Sequence, residues 1–132
     1  MAAQKAAADK KLTAEGTGMN RKEFGDFGEQ VACDYLQKMK YRIVVRNYRS
    51  PAGEIDIIAE KGGVLLFAEV KTRSSDAYGM PAEAVTEKKL QHIRHTAAFY
   101  LSHSRDTNGT GYAVRLRFDV IEIMISHIED VI

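Results

Sequence analysis

The chain has 132 residues with a formal net charge of +1, and 45% of its residues are hydrophobic. This length suits one domain with an ordinary core, and the single cysteine, Cys33, excludes an internal disulfide scaffold. No apolar run reaches the length of a membrane span, and the N-terminus lacks the apolar segment of a signal peptide. We therefore expect a cytoplasmic protein with no membrane partner.

The N-terminal half predicts a tail, a helix and three strands. Residues 1–20 are rich in Ala and Lys without a sustained apolar face, which predicts a flexible tail before one folded domain at 21–132. The spacing of apolar residues predicts a helix over 26–39, with a stripe formed by Phe27, Val31, Tyr35 and Leu36. Strands are predicted over 41–48, 54–60 and 64–72, with a turn at 50–53 and a tight hairpin turn at 61–63.

The C-terminal half predicts one helix and one strand between polar loops. Thr86 is a suitable N-cap for a helix from Glu87 to about Ser102. Loops are predicted over 74–84 and 103–113, and a strand over 115–125. The order α-β-β-β-α-β favours a three-layer α/β/α domain, with helices covering both faces of one mixed sheet.

The hairpin over 54–72 carries four charged residues whose spacing is informative. Because side chains alternate along a strand, Glu54 shares a face with Asp56, and Glu69 shares one with Lys71. A two-residue turn at Gly62-Gly63 places Asp56 opposite Glu69 and Glu54 opposite Lys71. A turn beginning one residue earlier keeps all four on one face, whereas a three-residue loop without a bulge breaks the arrangement.

The other face of the hairpin is wholly apolar and is predicted to be core. It comprises Ile55, Ile57, Ala59, Val64, Leu66, Ala68 and Val70. On the acidic face, three apolar residues continue beyond the charges as a floor, namely Ile58, Leu65 and Phe67. We therefore expect the acidic face to form a half-covered cleft.

Two opposed carboxylates point to a bound cation. Carboxylates facing each other on neighbouring strands repel, unless one is protonated or a cation lies between them. Their oxygen ligands suit Mg²⁺ or Mn²⁺, and Lys71 could hold a water against a phosphate. This reading implies phosphodiester hydrolysis. The alternative is a cross-strand ion pair of Glu54 with Lys71 beside ordinary solvent-facing acids.

An Asp followed after a dozen residues by Glu-x-Lys resembles the signature of the PD-(D/E)XK nuclease superfamily, which includes restriction endonucleases and Holliday-junction resolvases. More closely, the chain resembles the bacterial YraN family of endonuclease-like proteins. The matching stretches are Gly25-x-x-Gly28-Glu29, Arg46-Asn47-Tyr48-Arg49, Gly53-Glu54-Ile55-Asp56, Phe67-Ala68-Glu69-Val70-Lys71-Thr72-Arg73 and Arg117-Phe118-Asp119-Val120.

The resemblance implies a restriction-endonuclease-like fold and a Mg²⁺- or Mn²⁺-dependent endonuclease or resolvase-like activity on DNA. Asp56 and Glu69 match the metal-binding acids, Lys71 matches the catalytic lysine, and Glu29 matches a first-helix glutamate that adds a metal contact. One departure is that Gly-Glu-Ile replaces the proline before the motif Asp, which leaves Glu29 and Glu54 as alternatives for the third acid. Junction-cleaving relatives act as paired subunits, so a homodimer is an expected assembly.

Basic and polar residues around the motifs are candidate nucleic-acid contacts. They are Arg46, Asn47, Arg49, Arg73, Lys88 and Lys89. Phosphate contacts of this kind position a protein on nucleic acid, although exposed basic residues are also ordinary solvated surface. Two alternatives to an enzyme stay open, a non-catalytic nucleic-acid-binding module and a protein–protein adaptor that retains the nuclease fold.

Overall fold

The computed structural model describes residues 18–74, 86–104 and 115–132. The elements within them are α1 (Arg21–Lys38), β1 (Arg42–Ser50), β2 (Gly53–Lys61), β3 (Val64–Ser74), α2 (Glu87–His103) and β4 (Arg115–Ile125). This order confirms the predicted α-β-β-β-α-β arrangement. Most of the predicted tail and of the loops at 74–84 and 103–113 lies outside the described residues.

Helix α1 begins earlier than the predicted start at residue 26, because Asn20 caps it. The Asn20 side chain accepts a hydrogen bond from the backbone N–H of Glu23 at 2.8 Å. Its amide also donates to Glu23 Oε1 at 2.7 Å. This reciprocal pair satisfies donors that the first turn would otherwise leave without partners, so α1 starts at Arg21.

The buried face of α1 differs from the predicted stripe. Phe27 is 43% exposed and Tyr35 is 51% exposed, so the prediction was wrong for these two residues. The buried residues are Phe24, Gly28, Ala32, Cys33 and Leu36. Several of these are small, which lets the helix lie close to the sheet. Cys33 is a free, buried thiol on this face.

The four strands within the described residues form one mixed sheet in the order β1-β2-β3-β4. Strand β2 pairs antiparallel with β1 and with β3, whereas β3 and β4 pair in parallel. Lys61 pairs with Val64 across Gly62 and Gly63, whose φ angles are 54° and 78°. Positive φ at both central residues is the requirement of a two-residue hairpin turn, so the turn predicted at Gly62-Gly63 is confirmed.

The helices cover opposite faces of the sheet, as a three-layer α/β/α fold requires. The α1-side core consists of Ala32, Cys33, Leu36, Tyr41, Ile57, Ala59, Leu66 and Ala68. The α2-side core consists of Ile55, Ile58, Leu65, Phe67, Ala97 and Tyr100. The predicted floor residues therefore lie under α2. No helix within the described ranges has both the length and the apolar character needed to cross a membrane.

Strand β1 is kinked at Asn47, which has a φ of 53°. Arg46 precedes the kink and donates to Gln30 of α1 at 2.9 Å. Tyr48 follows it and lies against Tyr100 of α2, with the ring centroids 5.2 Å apart. Regular alternation would put Arg46 and Tyr48 on one face, so the kink inverts the alternation. Asn tolerates this left-handed conformation better than most residues.

The inversion extends across the ladder to β2. Register partners flank the kink, with Arg46 opposite Ile57 and Tyr48 opposite Ile55. Ile57 lies in the α1-side core, but Ile55 lies in the α2-side core. The prediction that Ile55 shares the face of Ile57 was therefore wrong, because strict alternation fails at the intervening Asp56.

Candidate functional site

Asp56 lies where the β2–β3 ladder stops. The pairing runs from Lys61 opposite Val64 to Ile57 opposite Ala68, in the register that the turn predicts. The next pair in that register, Asp56 with Glu69, is not part of the ladder. Instead Asp56 Oδ2 accepts the backbone N–H of Val70 at 2.8 Å. One oxygen of this carboxylate is therefore fixed to β3.

A pocket of about 260 Å³ opens at this end of the hairpin, between the sheet and α2. Its lining combines acids with groups from the first two turns of α2, namely Gly53, Glu54, Ile55, Asp56, Ala68, Glu69, Lys89, His92 and Ile93. The structure thus brings Asp56 and Glu69 into one cleft, which the helix partly covers.

The two oxygens of the Glu69 carboxylate have different surroundings. The Lys89 ammonium pairs with Glu69 Oε1. The other oxygen, Oε2, is buried and has no hydrogen-bond partner in the structure. An unpartnered buried carboxylate oxygen is costly and is a ready ligand for a cation.

The pocket favours the neutral form of Asp56. Burial is the main cause and raises the pKa of Asp56, and the neighbouring Glu69 and Glu54 carboxylates raise it further. The Val70 N–H and the Lys89 ammonium act in the opposite direction but do not outweigh burial. The pocket therefore destabilises the charged form of Asp56 relative to the same carboxyl in water.

Glu29 approaches the same cluster from α1. Its Oε1 atom is buried and has no hydrogen-bond partner in the structure. Burial raises the pKa of Glu29 most, and the charge of Asp56 raises it further, whereas Arg46 and Asn47 lower it. Glu29 is thus electrostatically coupled to Asp56, although it does not line the pocket.

The two alternatives for a third acid differ in their surroundings. Glu54 lines the pocket, but its side chain is 68% exposed and its Oε1 lies 3.9 Å from Arg49 Nε. Glu29 carries the buried, unpartnered oxygen. Glu29 is therefore the more buried of the two and lies under the influence of the Arg46 charge, whereas Glu54 is exposed beside Arg49.

Lys71 lies on the α2 side of the sheet, beyond the pocket. Val70 packs against the α1-side core, and Thr72 contacts Gly28 of α1. Alternation then places Lys71 on the face that carries Glu69. Its strand neighbour is Glu122 of β4, and it does not line the pocket.

Three of the candidate nucleic-acid contacts lie along β1. Arg46 is bonded to Gln30 of α1, and Asn47 lies at the kink beside Glu29. Arg49 is exposed and only loosely paired with Glu54. Of the three, Arg49 has the environment expected of a phosphate contact.

The other three candidates have contrasting environments. Arg73 Nη1 lies 3.0 Å from Glu122 Oε1, and the two side chains are only 12% and 16% exposed. Lys89 faces inward to Glu69, whereas Lys88 is exposed. Arg73 is therefore paired in a largely buried position and Lys89 in a partly exposed one, whereas Lys88 is exposed.

Two pocket residues of α2, His92 and Ile93, were not predicted as part of the site. They follow Lys89 by three and four residues, the spacing that puts side chains on one face of a helix. That spacing was visible in the sequence. The sequence did not indicate which face of α2 would meet the acids.

The donors suit a hard divalent cation. In the part of the chain that the structure describes, no group of three or more His, Cys, Asp or Glu side chains is already assembled for a metal ion. Two buried carboxylate oxygens, on Glu29 and Glu69, nevertheless have no partner, and carboxylate oxygens are the ligands that Mg²⁺ and Mn²⁺ prefer. The residue types therefore fit such an ion, and Asp56 is electrostatically coupled to each of the two.

Comparison with known proteins places the chain in a family. Residues 28–123 match the profile described as "Uncharacterised protein family UPF0102". Three curated proteins, each named "UPF0102 protein", are similar over most of their length. The one from Alkaliphilus metalliredigens is 44% identical over 104 residues, covering 79% of this chain and 87% of the relative. The one from Trichlorobacter lovleyi is 45% identical over 109 residues, covering 82% of each chain. The one from Caldicellulosiruptor saccharolyticus is 40% identical over 108 residues, covering 82% of this chain and 87% of the relative. The chain belongs to the UPF0102 (YraN) family, a member of the restriction-endonuclease-like superfamily.

Proposed function

We propose that this protein is a divalent-metal-dependent phosphodiesterase that cleaves DNA, as an endonuclease or a resolvase-like enzyme. The observation that carries the proposal is the acid cluster around Asp56, whose negative charge nearby cations compensate only in part. The pKa of Asp56 is raised by burial and by neighbouring carboxylates. One carboxylate oxygen of Glu29 and one of Glu69 are buried without a hydrogen-bond partner among the described residues. Such a cluster is unfavourable in isolation and becomes favourable when a cation binds.

Asp56, Glu69 and Glu29 are the residues that would hold Mg²⁺ or Mn²⁺. The bound ion would neutralise phosphate charge and lower the pKa of a water molecule. The chain itself orients the carboxylates. The Val70 N–H fixes one oxygen of Asp56, and in the absence of metal the Lys89 ammonium pairs with one oxygen of Glu69.

Lys71 is the proposed partner of the attacking water and of the phosphate. Lys71 lies two residues after Glu69 on the same face of β3, so the same strand positions the acid and the ammonium. A preorganised positive charge offsets the charge that develops in the transition state. Arg49 and Lys88 supply exposed positive charge for backbone phosphates.

A cleavage assay on defined DNA substrates tests the proposal. Labelled single strands, duplexes and four-way junctions are incubated with Mg²⁺ or Mn²⁺ and the native protein or the variants Asp56→Asn, Glu69→Gln and Lys71→Met. We expect native cleavage and a loss of about 10²-fold or more in each variant, the usual effect of removing one preorganised group. Glu129→Gln, a change of an exposed acid whose Oε1 lies 3.8 Å from His127 Nε2, should cleave normally. Equal cleavage by all variants, or none by the native protein, would refute the assignment.

One observation favours a second candidate, a non-catalytic nucleic-acid-binding module. The Lys89 ammonium already compensates one oxygen of Glu69, and no three-residue metal cluster is assembled in the described ranges. Such a module would bind DNA with a marked salt dependence, bind no divalent metal, and retain its affinity in Asp56→Asn. Calorimetric titration with Mn²⁺ separates the two candidates.

A further inference from the structure

Lys89 occupies an unusual position for a residue expected to contact phosphates. Its ammonium points into the pocket and pairs with Glu69, and it also lowers the pKa of the adjacent Asp56. Of the cationic side chains described, Lys89 alone lines this pocket. Its charge therefore acts on both acids that the proposed function assigns to metal binding.

The fold delivers this ammonium from a defined helical turn. Thr86 caps α2, and its Oγ1 accepts the backbone N–H of Lys89 itself at 3.2 Å. One turn later, His92 and Ile93 line the same pocket. The backbone of Lys89 is thus anchored by the cap, and the flexible part is the side chain, whose ammonium can leave Glu69 without a movement of the helix.

We propose that Lys89 is an internal counter-ion of the pocket, holding Glu69 in the metal-free protein and yielding that carboxylate when a divalent cation binds. The inference rests on the proposed function, because it takes Glu69 to be a metal ligand. Glu69 Oε2 is buried without a hydrogen-bond partner among the described residues, while Oε1 is paired with the ammonium. Lys89 therefore lowers the affinity for metal below the value that the acids alone would give.

The size of the effect follows from competition for one carboxylate. Lys89 and Glu69 are both half-buried, so their attraction exceeds that of a fully exposed pair but remains screened by solvent. Removing the ammonium frees the oxygen and leaves the pocket more negative. We expect the affinity for Mn²⁺ to rise by about threefold to thirtyfold.

Calorimetric titration with MnCl₂ tests the proposal without an activity measurement. The proteins are the native chain, Lys89→Met, Lys89→Arg and, as a matched control, Lys38→Met, which removes an exposed lysine at the end of α1. We expect tighter binding by Lys89→Met and unchanged binding by the other two variants. The rise in melting temperature with added Mn²⁺ should likewise be largest for Lys89→Met. If Lys89→Met does not unfold cooperatively, Lys89→Gln, which keeps a hydrogen-bond donor without the charge, takes its place.

The outcomes separate this inference from the proposed function. If the native protein binds Mn²⁺ and the neutral variant at 89 binds equally or more weakly, the counter-ion role is overturned and the metal site stands. If neither protein binds Mn²⁺, the metal site itself is overturned, and the inference with it. Binding by the neutral variant alone supports both proposals.

Discussion

Replacing Gly28 with alanine tests whether the close contact between α1 and the sheet determines the position of the helix. A Cβ atom at Gly28 would lie 1.7 Å from Thr72 Oγ1, 2.8 Å from its Cβ and 2.9 Å from its Cγ2. Rotation of the Thr72 side chain cannot relieve the contact with its own Cβ, so the helix has to move. Overpacking of this severity costs about 3 kcal/mol, and the higher helix propensity of alanine returns about 1 kcal/mol. We expect a net loss of about 2 kcal/mol.

Gly25→Ala provides a matched control within the same helix. A Cβ atom there would meet nothing within 4 Å, so only the propensity gain applies and stability should rise by about 0.5–1 kcal/mol. Urea unfolding followed by far-UV circular dichroism should show the two midpoints moving in opposite directions, by about 1–2 M downward for Gly28→Ala. A Gly28→Ala midpoint equal to or above that of the native protein would refute the argument that this contact is tight.

Three further predictions concern the charges and the kink. Because burial and neighbouring acids raise the pKa of Asp56, its charge weakens the fold once the pH exceeds the unfolded value of about 4. Asp56→Asn should therefore unfold at a higher temperature than the native protein at pH 7 without divalent metal. This gain should shrink as the pH falls from the raised pKa of the folded state toward the unfolded value of about 4 and should be absent below it; no gain at pH 7 would contradict the sign. Arg73→Met removes the arginine that pairs with the largely buried Glu122 and should lower the free energy of unfolding by about 2–3 kcal/mol in urea titrations. An unchanged free energy of unfolding would show that this ion pair does not stabilise the fold. Asn47→Ala should cost about 1 kcal/mol because of its positive φ, and Asn47→Gly should unfold near the native midpoint; equal midpoints for the two variants would argue against strain at this residue.

The element order and the hairpin register followed from local signals. Gly62 and Gly63 permit the positive φ angles of a tight turn, and once the turn is fixed, counting along both strands fixes their partners. The face of α1 did not follow from such signals. Apolar spacing favours large residues such as Phe27, but close packing of a helix on a sheet selects small ones such as Gly28, and that choice depends on Thr72 far along the chain.

The candidate site likewise combines features that local sequence signals predict with features that depend on contacts between distant elements. The hairpin turn was sufficient to bring Asp56 and Glu69 into one cleft, although alternation fails at Asp56 and the two residues do not pair in the ladder. The kink at Asn47 depends on a single backbone angle, for which the residue type supplies only a weak preference. The ion pair of Lys89 with Glu69 joins separate elements, and spacing within either element contains no information about it.

The hydrogen bond from the Val70 N–H to Asp56 gives this carboxylate a structural role in addition to its charge. One of its oxygens accepts a backbone N–H of β3 just beyond the last backbone pair of the β2–β3 ladder. Alanine at position 56 removes both the charge and this hydrogen bond, whereas asparagine retains an acceptor oxygen at nearly the same distance from the backbone. Glutamate keeps the charge but extends it by a methylene, which moves its oxygens away from the backbone donor. The hydrogen bond therefore favours a side chain of the length of aspartate at position 56, and the asparagine variant tests the charge while an acceptor for the Val70 N–H is retained.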